Sequence, residues 1–218
     1  MKVLALVGVA LIAAAAAAGA NPKEPKKVII PAVQAKAKAI NVQLSDLPKS
    51  LGFKPKPAGP DTGTPVCSYY NPDQSDLTEN GDSKSPDFTL ANENGSFIAS
   101  STSIFKTAAQ GRTAYARVVQ PKLPACLAQI FKQGAGSGVT IVSAKTTAFT
   151  KLAERSNAYR ISATFASGKQ KIPVYLDVVV MNRAKVDTVI FFAGIGTFFN
   201  TGFEQTIASK VAARTKNQ

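Results

Sequence analysis

The clearest periodicity lies in the second half of the chain. From Asn157 to Ala166, Tyr159, Ile161, Ala163 and Phe165 alternate with Arg160, Ser162 and Thr164, the period of a half-buried strand. Lys171 to Met181 is strongly apolar, and Val186 to Ala193 ends in Phe191 and Phe192. The short connections Ser167-Gly168-Lys169-Gln170 and Asn182-Arg183-Ala184-Lys185 make these three an antiparallel meander. Val139 to Phe149, rich in Thr and Val, precedes them as a fourth strand. Gly95 to Phe105 and the shorter Val66–Tyr70 read as earlier strands. Symmetric turns place Arg160 opposite Asp177, and Asp177 opposite Ile190. Tyr159, Val178 and Val189 then share a core face with Ile161, Leu176 and Phe191. Arg160, Tyr175, Asp177, Val179, Thr188 and Ile190 share the other face, which is mixed instead of polar. Something covers part of it, or it is a binding surface.

Helical signals are fewer. Thr107-Ala108-Ala109-Gln110 matches a capping box and opens a helix to about Val119, stopped by Pro121. Pro124 suits the first turn of a second helix carrying Cys126, Leu127, Ile130 and Phe131, ending before Gly134. Thr201-Gly202-Phe203-Glu204 is another capping box, and Phe203, Ile207 and Val211 form one stripe of a final helix. The residues from Ser45 to Pro60 are rich in Pro and Gly and read as an extended lead-in. Residues 71 to 87 are polar and turn-rich, a surface loop. The expected fold is α+β: an antiparallel sheet of five or six strands packed with two central helices and one C-terminal helix.

The N-terminus changes the compartment. Met1-Lys2, the apolar run Val3 to Ala18 and the small residues Ala18-Gly19-Ala20 form a signal peptide over 1–20, with cleavage near Ala20-Asn21. The run falls short of the roughly 20 strongly apolar residues of a membrane span; the alternative is an uncleaved anchor. Residues 21–44, rich in Lys, Pro and Ala without a sustained period, read as a flexible arm. Residues 45–218 then form a single domain. The expected location is outside the cell, or the outer face of the membrane or cell wall.

Charge is uneven along the chain, whose formal net charge is +13. Eight lysines lie between Asn21 and Pro57, against Glu24 and Asp46. Asp73, Asp76, Glu79, Asp82, Asp87 and Glu93 face only Lys84 between Pro72 and Asn94. A basic arm on an exported protein suits anionic wall polymer or lipid head groups as partners. No basic stripe interleaved with aromatic residues points to nucleic acid.

Candidate chemistry is narrow. The chain contains no histidine, which removes Ser-His-Asp and Cys-His arrangements and an imidazole base. The only two cysteines, Cys67 and Cys126, are expected as a structural disulfide in an oxidising compartment. Asp177 with Arg160 opposite reads as a structural ion pair. Asp187, beside a turn, is expected to be exposed. The acidic loop does not match the alternation of a calcium loop. No metal or cofactor is implied. Four phenylalanines and two glycines fall in Phe191 to Phe199, and Phe198 and Phe199 are expected to line an apolar crevice. Phe198, Phe199, Tyr175 and Ile190 are the candidate contact surface.

Several of these features occur in a familiar order: a signal, a lead-in with Asp46-Leu47-Pro48, and a short strand with Cys67. A strand then runs into a helix near Phe105, a second helix bears Pro124-Ala125-Cys126-Leu127, and a meander and a last helix ending in Arg214 follow. Over about residues 45–215 this resembles the exported actinobacterial LpqN-like lipoprotein and PknH-type extracellular sensor domain group. Its fold is similar to the PsbP-like α/β sandwich. The chain lacks that group's lipid-attachment cysteine and cannot form the kinase sensor's second disulfide. The resemblance implies a non-catalytic, sensor-like domain of the cell envelope, holding an apolar or amphipathic ligand or a membrane-protein partner. The alternative is a structural or adhesive protein tethered to anionic cell-wall polymer by its basic arm. A carboxylate-based hydrolase is a third reading, disfavoured by the missing histidine.

Overall fold

The computed structural model of the protein describes residues 23–59, 63–90, 95–135, 138–167 and 170–216. The signal peptide expected over 1–20 and its cleavage site lie outside them. Among the described residues the order is β1 (Lys26–Lys27), α1 (Pro31–Ile40), single 3-10 turns at Leu44–Asp46 and Lys49–Leu51, β2 (Phe53–Lys56), β3 (Thr78–Lys84), β4 (Asp87–Leu90), β5 (Phe97–Phe105), α2 (Ala108–Val118), α3 (Leu123–Ala135), β6 (Val139–Thr147), β7 (Arg155–Ser167), β8 (Gln170–Arg183), β9 (Val186–Ile195) and α4 (Thr201–Arg214).

The class is α+β, as expected. The strands form one open sheet in the order β1-β3-β5-β9-β8-β7-β6, with β4 beside β5 and β2 beside β4. All pairs are antiparallel except β1 with β3. The expectation of five or six strands is too low, because β1 to β4 carry no alternating apolar pattern. β3 is the sequence Thr-Glu-Asn-Gly-Asp-Ser-Lys. It becomes a strand by pairing with β5 on one side and β1 on the other.

The meander follows its expected faces. Arg160 pairs with Asp177 as the symmetric turn requires. The β8–β9 turn is tighter than assumed. Arg183 pairs with Val186, so Asp177 faces Phe192 and Ile190 faces Val179. The shift is two residues, which leaves every side chain on its expected face. Ala184 takes the left-handed turn position with φ 51°. Gly111 of α2 packs directly on this turn; a Cβ there would sit 2.6 Å from the Ala184 carbonyl oxygen.

Both faces of the sheet are buried. On one, α2 and α3 pack Tyr115, Leu123, Leu127 and Phe131 against Tyr159, Ile161, Val178 and Val180. On the other, α1 and α4 pack Ala37, Ile40, Ile207 and Val211 against Ile98, Val179, Ile190 and Phe192. The mixed face is therefore mostly core. Its polar members form a seam. Asn41 Oδ1 accepts from Ser100 and Thr102, Asn41 Nδ2 donates to the Ser83 carbonyl, and Thr102 bonds Thr188. All of these side chains except Ser83 are buried, so each bond replaces one lost to water.

The expected flexible arm is corrected here. From Lys23 to Leu44 it contains β1 and α1, with Ala37, Ile40 and Val42 buried. Its low hydrophobicity hid this, since only three positions need to be apolar. α1 lies so close to β3 that a Cβ on Gly81 would meet the Val33 backbone at 2.8 Å. Arg214, at the end of α4, then locks the segment. Its guanidinium donates to the Ile40 and Asn41 carbonyls and to both carboxylate oxygens of Asp46.

Cys67 and Cys126 are disulfide-bonded, with Cα atoms 5.7 Å apart. Cys67 does not lie on a strand; Val66–Tyr70 is a tight turn closed by a single bridge between Cys67 and Tyr70. The Tyr70 hydroxyl donates to the Val118 carbonyl at the end of α2. The bond thus ties this turn to the α2–α3 corner. A disulfide is characteristic of an extracytoplasmic compartment. Among the described residues, no helix is long and apolar enough to cross a membrane.

Candidate functional site

Four of the residues singled out in the sequence converge where α4 begins. β7 and β8 place Arg160 and Asp177 opposite one another. The guanidinium binds the carboxylate in a two-pronged arrangement, Nε to Oδ1 and Nη2 to Oδ2, both at 2.7 Å. Asp177 is buried. The expected ion pair is present, with the planar geometry that arginine alone provides.

After β9 the chain turns back over the sheet. Gly194 packs beneath this return, where a Cβ would lie 2.2 Å from the Thr197 carbonyl oxygen. The turn projects Phe198 outward, 47% exposed. Its ring lies edge-on to Tyr175 at 5.6 Å and over Arg160, whose guanidinium carbon is 4.9 Å from the ring centre. Arg160 therefore serves two partners: it pairs with Asp177 below and attracts the face of Phe198 above.

Phe199 and Ile190 are corrected. Phe199 points inward and stacks with Phe53 and Phe203, and packs edge-on to Phe192. It anchors the lead-in to α4. Ile190 is fully buried, 0% exposed, beneath α4. Neither lines a crevice. Two open surface depressions, of about 470 and 350 Å3, lie elsewhere and share Arg117 in their walls. Tyr69, 42% exposed, lines the second.

Glu204 was read in the sequence as half of a capping box. Asn200 caps α4 instead, accepting from the Gly202 amide. Glu204 turns inward and is buried, with Oε1 4.0 Å from Arg160 Nη2 and without a hydrogen bond at that atom, while its carboxyl hydrogen-bonds to Asp177. Burial, then the hydrogen bond to Asp177 and the repulsion from its charge, push its pKa well above the ordinary carboxyl range. One arginine thus stands beside two carboxyls, and of these Glu204 is the one that resists ionisation. The signal for Glu204 was its spacing: it lies three, four and seven residues before Ile207, Ala208 and Val211, on the same buried stripe.

Asp187 is half-buried, not exposed. It accepts from Asn182 at 2.6 Å, and burial pushes its pKa up to about 8. The carboxylates of the acidic loop are dispersed among separate partners. Asp76 pairs with Arg117, Asp82 with Lys27, and Asp73 accepts from Ser75. Among the described residues no group of three or more His, Cys, Asp or Glu side chains is arranged to hold a metal. Glu93 lies outside the described residues.

No protein-family model matches this chain, and no curated protein matches it.

Proposed function

We propose that this chain is an exported, non-catalytic binding domain of the cell envelope, and that Phe198, Tyr175 and Arg160 form its contact surface. The observation that carries this is an exposed phenylalanine held in place. An edge-on tyrosine and a guanidinium anchored by a buried carboxylate fix Phe198, so little side-chain freedom is lost on contact. Aromatic residues beside arginine are also the composition of binding hot spots. Such a surface suits an amphipathic molecule or a membrane-protein partner that lays an apolar group on the ring.

The proposal extends to kinship with the LpqN-like and PknH-type sensor domains. Helices on both faces of one mostly antiparallel sheet, closed by a C-terminal helix, support a PsbP-like sandwich. The carboxyl pair at Asp177 and Glu204 is read as structural, since both groups are buried beside Arg160.

The test is native mass spectrometry of the exported protein purified from its own host, comparing wild type with Phe198→Ser. A co-purifying amphiphile is expected on the wild type and is lost on the variant, with the melting temperature unchanged. A ligand retained equally by both proteins overturns the assignment of this surface.

A further inference from the structure

The exposed apolar side chains are not scattered. Among the described residues, nine large ones stand out, and five of them, Val28, Ile29, Ile30, Leu44 and Leu51, fall within one short stretch around α1. Val28, Ile29 and Ile30 are 46%, 44% and 42% exposed just before α1, and Leu44 is 47% exposed just after it. Isolated cases are normal on any surface; three in succession at the start of a helix are not.

α1 continues the pattern. Val33, Ala37 and Ile40 face the sheet. At about 100° per residue Ala35 points outward, with Ala39 and Ala32 to one side of it and Pro31 and Lys38 to the other, all exposed. A helix on the surface of a protein that meets only water is polar on that side. Here the polar positions are Lys36 and Lys38, exposed and placed on the two flanks of the alanine stripe. Long lysine stems at the margins of an apolar stripe let the stripe lie against hydrocarbon while the ammonium groups stay in the head-group layer.

Charge points to the same occupant. Between Lys26 and Lys56 the only carboxylate is Asp46, and it is buried and paired with Arg214. Asp82, at the margin, is paired with Lys27.

We infer that the α1 surface, with Val28, Ile29, Ile30 and Leu44 at its two ends, docks onto an anionic lipid bilayer. A soluble polyanion satisfies the lysines but leaves the apolar side chains in water; a bilayer surface satisfies both. Rigid presentation matters as well. α1 is held to the sheet through Ala37 and Ile40 and to α4 through Arg214, so no helix has to form on the membrane. This contact lies at the C-terminal end of α4, about 20 Å along that helix from Phe198 at its start. It is independent of the surface proposed above.

The experiment is co-sedimentation of the exported protein with vesicles of phosphatidylglycerol and phosphatidylcholine, against vesicles of phosphatidylcholine alone. Binding to the anionic vesicles is expected, weakening as salt rises. The double variant Lys36→Gln/Lys38→Gln is expected to bind about 25-fold more weakly, roughly fivefold for each lysine charge removed. The variant Val28→Ser/Ile29→Ser/Ile30→Ser is expected to lose about tenfold at unchanged charge. Circular dichroism checks that both remain folded, which exposed positions allow. Phe198→Ser is expected to bind vesicles like wild type. Equal binding of wild type and the serine variant overturns the inference, as does binding to soluble polyphosphate that is as tight as to vesicles. Equal binding to both vesicle types overturns it too.

Discussion

Burial and the neighbouring Asp177 keep Glu204 protonated well above the usual carboxyl range, and burial does the same for Asp187 up to about 8. In the unfolded chain both titrate near 4. The folded state therefore holds protons that the unfolded state has released. The stabilisation is complete below about pH 4 and is lost as pH rises through the folded values. Thermal melts are expected to show the midpoint falling by about 5 °C or more between pH 5 and pH 9. Glu204→Gln is expected to flatten much of that slope; a profile unchanged by it would assign the slope elsewhere. Asp73 and Asp76, held below their ordinary range by Ser75 and Arg117, act only in the acid limb and leave this window untouched. Asn41 is the other decisive single residue. Asn41→Ala removes three hydrogen bonds, two of them from the buried hydroxyls of Ser100 and Thr102, and a loss of about 3 kcal/mol by urea unfolding is expected.

At the scale of elements, the strands of the meander were legible because Tyr159, Ile161 and Ala163 alternate without interruption. Their faces were legible too, since a register error of two residues moves no side chain across the sheet. α1 and β3 were not. An Ala- and Lys-rich helix with three buried positions looks like a solvated arm until Arg214, far away in sequence, caps its end. β3 has almost no apolar residue, and Gly81 reads as a turn until α1 is seen lying against it. At the candidate site, the ion pair followed from simple strand pairing. Phe198 and Phe199, adjacent in sequence, could not be told apart, because the turn after Gly194 decides which ring faces water. The Arg214 contacts also set an expectation: Arg214→Ala removes the ion pair of a buried Asp46 and is expected to cost about 3 kcal/mol or more. Hydrogen exchange is expected to speed up in α1 first; if α1 and β8 lost protection together, the clamp would be no local device.

At the scale of the molecule, one sheet lies between two helical layers that are fastened differently. The α2–α3 layer is fastened covalently. Cys67 and Cys126 are 59 positions apart, and closing a loop of that length is worth about 4 kcal/mol in the chain-entropy account. Replacing both with serine is expected to lower stability by about that amount, with amide protection in α3 lost before that of β8 and β9. Simultaneous loss throughout would contradict this order. The α1–α4 layer is fastened by packing, by the Asn41 seam, and by Arg214 and Lys210 reaching back to Asp46.

That second fastening joins the two ends of the described chain: Arg214 and the Ile40 carbonyl are 174 positions apart. On the proposed reading as an exported chain, the polypeptide is threaded out with its N-terminus leading. The α1 segment therefore waits outside, without its clasp, until almost everything behind it has been translated and passed through the channel. Contacts that span such a long loop form late, so this layer is the last to shut. A premature stop that removed only the final turn of α4 would then release α1, while the disulfide-bonded layer stayed assembled.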